Sequence, residues 1–354
     1  MITLCIITKN NEKTIEQCIK SVIKIVSEIV VVDSASSDKT REIAEKLGAR
    51  VFDFIWKDNF SEAKNYAKDK AKEKWILNLD ADETISDKDI ERLSELARKD
   101  EYIGYYLIQR NYTNSSGEFC WTSCTDDIYE ESKTALGFVP RKMVRLFKND
   151  PRIFFEGAVH DSVIPSIMKI GLGLIGETDV PIHHYGLINR GIERTEWYID
   201  LEKKNIRHDF FQEYQIASQL HSIGRLKEAS EHLLESLRLN EDFHLSWLEL
   251  AIIFIKNNKI IEAKPLLLRS LELQEHEMTW SHLGIVAVYE KKFDDAEKFF
   301  RMAISLNPKN SDFYFNLGQV LSQLKKFEKA KEAFQKASYL NPSYKDRIKN
   351  ILTD

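Results

Sequence analysis

The stretch WILNLDADE, residues 75 to 83, passes from an apolar strand pattern directly into three carboxylates, Asp80, Asp82 and Glu83. Crowded carboxylates repel one another, so folding alone gives little reason to place them together. A divalent cation held at the end of a strand supplies a reason. The surrounding sequence carries the same strand-then-polar-loop pattern twice more. ITLCIIT (2–8) is followed by TKNNE (8–12), and EIVVVDS (28–34) leads into DSASSD (33–38). Between these strands lie stretches with helical spacing: Ile15, Cys18, Ile19, Val22, Ile23 and Val26, then DKTREIAEKLG (38–48) closed by Gly48. ARVFDF is a third strand, NFSEAKNYAKDKAKEK a third helix and WILNLD a fourth strand. Near-continuous apolar strands alternating with helices indicate an α/β, Rossmann-like, mostly parallel sheet covered on both faces. Ligands bind such sheets beyond the carboxyl ends of the strands, so the three polar loops are expected to line one crevice.

After about residue 200 the period changes. IASQL, LELAI, HLGIV and NLGQV align as helix pairs starting near 210, 244, 277 and 311. In the third unit Trp280, Leu283, Gly284, Ala296, Phe300, Ala303 and Pro308 recur in the fourth as Tyr314, Leu317, Gly318, Ala330, Phe334, Ala337 and Pro342. Small residues let the two helices of a hairpin approach, and proline ends the second. This pattern resembles the tetratricopeptide repeat (TPR). The first two units keep Ala217/Ala229 and Ala251/Ala263 but lose the aromatic and the proline. The expected organisation is a sheet domain over 1–190, a connecting helix over 191–209, an all-α TPR solenoid of four helix pairs over 210–342, and a capping helix over 343–354.

At 354 residues the chain is long enough for two full cores. A net charge of -5 argues against a nucleic-acid or anionic-membrane binder. Apolar runs are short, so no transmembrane segment is expected. The start MITLCIITKNNE reads as a strand, not a signal peptide. The four cysteines, Cys5, Cys18, Cys120 and Cys124, form no CxxC pair and lack zinc-ligand spacing, which suits a cytoplasmic protein with reduced thiols.

The order TKNNE, VVDSASSDKT (31–40), FSEAKNYA (60–67), LNLDADE (77–83), RLF (145–147), EGAVHD (156–161) and HHYG (183–186) resembles family 2 glycosyltransferases of the GT-A fold. Sublancin-type peptide S-glycosyltransferases, which modify bacteriocins, and lipopolysaccharide-core glucosyltransferases are both similar. The resemblance implies a UDP-sugar donor with Mn²⁺ or Mg²⁺. It places Asp33 on the uracil N–H, with Thr8 and Asn10 under the base and ribose. Asp80 and Asp82 form the DxD element, Asp82 on the metal and Asp80 on the ribose or reaching the metal through water. Oxygen ligands shared with phosphates suit either ion, which stabilises the charge on the leaving UDP. His160 lies by the metal and diphosphate in the family pattern, and His184 closes the site, with His183 as packing.

Lys64 stands where relatives carry Arg. It meets phosphate as a point charge or is an exposed helix lysine. Of Arg141, Lys142 and Arg145, the RLF match singles out Arg145 for diphosphate or acceptor. Relatives carry Glu after the histidine, but this chain has Asp161, so either Asp161 or Glu156 is the base of an inverting displacement. A thiol acceptor needs less help from a base. Three readings stay open. In the first, a peptide or protein acceptor is selected by the TPR domain, whose faces also suit a homodimer. In the second, the acceptor is a lipid-linked or cell-envelope glycan. In the third, the chain is a TPR scaffold with a decayed head.

Overall fold

The structure is a computed structural model that describes residues 1–354 except 100, 117, 172–174, 187–190, 206, 208 and 354. Strands β1 (Ile2–Thr8), β2 (Glu28–Asp33), β3 (Arg50–Asp53) and β4 (Trp75–Asn78) lie parallel in the order β3-β2-β1-β4. Both faces are covered, which explains the unbroken apolar runs. Leu4, Ile6, Val31 and Leu77 share one core with Ile15, Cys18, Ile19 and Val22 of α1 (Ile15–Val22) and Ala44 of α2 (Thr40–Lys46). Their neighbours along the strands, Cys5, Val30, Val32 and Ile76, pack in a second core with Ala67 of α3 (Phe60–Lys70).

The sheet then becomes mixed. The remaining elements are β5 (Glu83–Thr84), α4 (Ile90–Lys99), β6 (Gly104–Thr113), β7 (Thr122–Ser123), β8 (Gly137–Lys148), α5 (Ile164–Ile170), β9 (Ile175–Gly176) and β10 (Pro181–His184). The order continues β4-β8-β6-β10-β5, with β8 antiparallel to β4 and β10 antiparallel to β5. His184 is thereby paired with Glu83 on one side and Asn111 on the other.

Helices follow as α6 (Ile192–Lys204), α7 (Phe210–Ser222), α8 (Leu226–Leu239), α9 (His244–Lys256), α10 (Ile260–Leu273), α11 (Glu277–Tyr289), α12 (Phe293–Leu306), α13 (Ser311–Gln323), α14 (Phe327–Leu340) and α15 (Tyr344–Thr353). Residues 206 and 208 of the expected connecting helix lie outside the described residues. The first helix of each pair begins at Phe210, His244, Glu277 and Ser311. A Cβ added at Gly284 would sit 2.7 Å from the Phe300 ring, and one at Gly318 2.6 Å from Phe334. The ring therefore occupies the space the glycine leaves. In the first two pairs the corresponding slots hold Ala217 with Leu233 and Ala251 with Leu267, all fully buried. A larger small residue meets a smaller large one, so volume is kept while the aromatic signature disappears.

The compact units do not follow chain order. One comprises residues 1–112, 129–134 and 140–189; the other comprises 113–128, 135–139 and 190–354. In the second unit, Thr122 and Ser123 pair with Phe138 and Gly137. The Trp121 carbonyl accepts from Asn307 Nδ2 at 3.1 Å, and Ser123 Oγ donates to the Leu340 carbonyl at 2.6 Å. The excursion between β6 and β8 is thus bonded to the last two helix pairs. Among the described residues no helix is long and apolar enough to cross a membrane.

Candidate active site

The parallel register brings Thr8 opposite Asp33 at the strand ends. The two loops that follow are tied together. Asn10, in a left-handed conformation, donates its backbone N–H to Ser36 Oγ and accepts from the Ser37 N–H, both at 2.8 Å. Thr8 Oγ1 donates to Asn11 Oδ1 at 2.9 Å. Asp33 is buried and accepts from the backbone N–H and hydroxyl of Ser36, closing its own turn. Asp38 accepts from the Thr40 N–H at the start of α2. Thr8, Asn10 and Asp33 therefore form one rim.

At the end of β4 the carboxylates meet two buried cations. Arg145 on β8 donates to Asn78 Oδ1 at 2.8 Å, Asp80 Oδ2 at 3.0 Å and Glu83 Oε1 at 3.1 Å. Lys64 on α3 lies 3.2 Å from Asp80 Oδ1 and 2.9 Å from Asp161 Oδ2. At 4% exposure Lys64 is not a surface helix lysine, so that alternative is overturned: the α3 face carrying it also carries Ala63 and Ala67 into the core. Arg141 and Lys142 are exposed, and Lys142 pairs with Glu177, so Arg145 is the member of the basic group that reaches the carboxylates.

The surroundings shift the two carboxyls of this network in opposite directions. For Asp80 burial opposes ionisation, but the Arg145 guanidinium and the Lys64 ammonium overcome it and hold the carboxyl well below its usual range. Glu83 is pushed up by burial and by the Asp80 charge, against Arg145. Glu83 also accepts from the Asp80 N–H at 2.7 Å and from Gln109. It thereby shapes the DADE turn from beneath. Burial disfavours the Lys64 charge, but Asp161 and Asp80 raise it and keep it ionised.

The GAVHD segment is a closed loop. Glu156 and Ser162 exchange backbone hydrogen bonds, and Gly157 and His160 both adopt positive φ between them. A non-glycine residue in that region is uncommon and marks a loop held by its surroundings. Asp161 comes out of the loop onto Lys64, whereas Glu156 pairs with Lys169 of α5 at 2.8 Å, 30% exposed.

His183 is fully buried, 2.6 Å from the Tyr112 hydroxyl through Nδ1, and burial lowers it to about 3, as suits packing. His184 differs. Its Nδ1 is 2.7 Å from Asn111 Oδ1, and its Nε2 is 3.5 Å from Asp82 Oδ2. An Nδ1–H donated to the Asn111 carbonyl turns Nε2 toward Asp82. Burial lowers the His184 pKa, yet the hydrogen bond to Asp82 and its charge overcome this and raise it, which favours a proton on Nε2 facing Asp82. A Cβ at Gly186 would fall 2.5 Å from His184 Nε2 and 2.8 Å from Asp82 Oδ2. Glycine at 186 thus keeps the space beside this pair clear.

A Mn²⁺ or Mg²⁺ ion fits this chemistry. Asp80, Asp82, Glu83 and Asp161 outnumber Lys64 and Arg145, and carboxylate oxygens suit either cation; an imidazole ligand is softer and matches Mn²⁺ better than Mg²⁺. Asp80, with an oxygen on each buried cation, is better placed to act through water than directly. Asp80, Asp82 and His160 are not among the described groups of three side chains with converging ligand atoms. An imidazole does sit beside Asp82, that of His184. Glu83, Asn78, Gln109 and Asn111 carry much of the arrangement and had no role assigned from sequence. The available signal was buried polar residues at every second position, Gln109, Asn111 and Thr113, after the apolar start Tyr105–Ile108 of β6.

Residues 3–158 match the profile of glycosyl transferase family 2, and residues 311–344 that of the tetratricopeptide repeat. The chain is 39% identical over 131 residues to an uncharacterized glycosyltransferase of Rickettsia bellii, covering 35% of the chain and 44% of that relative. It is 31% identical over 170 residues to a TPR repeat-containing protein of Synechococcus elongatus, covering 48% of the chain and 37% of that protein. The SPbeta prophage-derived glycosyltransferase SunS of Bacillus subtilis is 25% identical over 255 residues, covering 69% of the chain and 54% of the relative. The chain spans about half or less of the length of these relatives. The family 2 glycosyl transferase domain thus lies over residues 3–158, and a tetratricopeptide repeat over residues 311–344.

Proposed function

We propose that the protein transfers a hexosyl group from a UDP-sugar to a peptide or protein side chain, with inversion and with the help of Mn²⁺ or Mg²⁺. The observation that carries this reading is Lys64, which bridges Asp80 and Asp161 and so sets a candidate base next to the candidate diphosphate site. Thr8, Asn10 and Asp33 would take the nucleoside. Asp82 and His184 would hold the metal, with Asp80 through water, and His160 would lie toward the diphosphate. Once bound, the cation supplies Lewis-acid stabilisation of the leaving diphosphate. Lys64 would move its charge from Asp80 toward the arriving phosphates, as a compact ammonium can. Asp161 would take the proton from the acceptor hydroxyl or thiol as the new bond to the anomeric carbon forms and the bond to UDP breaks. Glu156 pairs with Lys169, not with the Lys64 that also holds Asp80, and is the weaker candidate base.

The solenoid suits an extended acceptor, and the resemblance to sublancin-type peptide S-glycosyltransferases favours a peptide. The test is a panel of UDP-sugars monitored for UDP release, followed by mass spectrometry of an added peptide pool. A peptide gaining one hexose or N-acetylhexosamine supports the reading. Transfer only to an envelope glycan moves the acceptor assignment, and no UDP release from any donor contradicts the enzyme.

A further inference from the structure

In the helical unit three side chains from distant parts of the chain converge. Cys120 Sγ lies 3.5 Å from His276 Nε2, and His276 Nδ1 lies 3.5 Å from a Glu277 carboxylate oxygen. Ligand atoms of all three fall within 4.8 Å of one another, and all three residues are half-buried. Zinc bonds of about 2.3 Å to sulfur and about 2.0 Å to nitrogen, opened to a tetrahedral angle, set those two atoms about 3.5 Å apart. The recorded spacing matches that edge. Thiol, imidazole and carboxylate are all zinc-ligand types. A thiolate and a carboxylate cannot share this space as bare anions, but they can share it across a divalent ion.

We propose that Cys120, His276 and Glu277 bind one zinc ion, with water in the fourth position. The proton balance is explicit. In the metal-free state His276 Nδ1 accepts from the Met278 N–H at 3.1 Å, so the ring proton sits on Nε2, toward Cys120. Loading moves that proton to Nδ1 and releases the thiol proton to solvent. It gives up one capping bond of α11 in exchange for metal bonds to sulfur, nitrogen and oxygen. The ion would clip the excursion that carries Cys120 to the start of α11. Cys120 and His276 are 156 residues apart, so ligand spacing along the chain could not reveal the site.

Cobalt(II) titration of the full chain tests this. A thiolate-to-metal charge-transfer band and the d–d bands of a four-coordinate ion should saturate at one equivalent and be displaced by Zn²⁺. At the carboxylate site the Cys18 thiol lies 3.4 Å from the Asp80 carbonyl, so the band is assigned by variants: Asp82→Asn and Cys18→Ala should both leave it intact. Cys120→Ser should abolish the band, Cys124→Ser should keep it, and His276→Gln should weaken cobalt binding by about tenfold or more. Absence of the band in the unaltered protein, or its survival in Cys120→Ser, overturns the proposal. X-ray absorption of the zinc-loaded, unaltered protein gives a check free of any variant: one sulfur neighbour supports the site and none refutes it.

Discussion

The helix pairs and the strand-end site solve the problem of burial in opposite ways. In the repeats one interhelical slot is filled by glycine against phenylalanine at 284/300 and 318/334, and by alanine against leucine at 217/233 and 251/267. The total volume is what counts, so the individual residues are free to trade. At the strand ends no such trade is available. Asp80, Glu83 and Asp161 are held by Arg145 and Lys64, and each charge is tolerated because another faces it. A buried pair adds little net stability, but removing one member strands the other. Packing forgives compensated change, and buried charge does not.

This contrast can be broken at graded points. The largest effect is expected at the proposed base. Asp161→Asn should slow transfer to a hydroxyl acceptor by about 10²–10⁴-fold with donor affinity nearly unchanged, read from initial rates and donor titration. Normal transfer by Asp161→Asn together with loss in Glu156→Gln would move the base to Glu156. Next, Arg145→Met should destabilise the sheet domain by about 3–5 kcal/mol, because Glu83 is left buried with its charge unanswered. Adding Glu83→Gln should recover part of that loss in chemical denaturation; no recovery means the pair is not energetically coupled.

Smaller effects belong to the helices. Gly318→Ala should cost about 1–3 kcal/mol, since its Cβ meets the Phe334 ring. Adding Phe334→Leu recreates the alanine–leucine filling of the first two pairs and should restore much of the loss in thermal melts. If the double variant is less stable than either single one, the idea of a shared slot volume fails. The smallest effect is expected for Glu156→Gln, whose partly exposed pair with Lys169 is worth about 0–1 kcal/mol.

Regions ruled by period were legible from sequence. The apolar runs of β1, β2 and β4 announce a sheet buried on both faces, and the glycine, aromatic and proline positions of the last two pairs announce the repeat. The first two pairs read weakly because volume, not residue type, is what they keep. In the site, Asp80 and Asp82 stand out by following a strand. Lys64 was reached only through the resemblance and its burial was left open, because a lysine in FSEAKNYA looks the same whether its helix face is solvated or buried. Glu83 was in plain view beside the DxD element. Its role as the support beneath Asp80 depends on Gln109 and Arg145, which reach it from β6 and β8. The excursion at 113–139 was illegible for a related reason: its partners, among them Asn307 and Leu340, lie about two hundred residues further on.

The central claim is that the carboxylate cluster at the end of β4 serves a metal-assisted transfer from a UDP-sugar. It is tested most directly by UDP release in excess EDTA, with Mn²⁺ or Mg²⁺ restored, for the unaltered protein and for Asp82→Asn with its fold verified by circular dichroism. The account predicts that chelation abolishes release, that either ion restores it, and that Asp82→Asn stays nearly inactive under both conditions. Full turnover in excess chelator, or an Asp82→Asn variant as active as the unaltered protein, would contradict it.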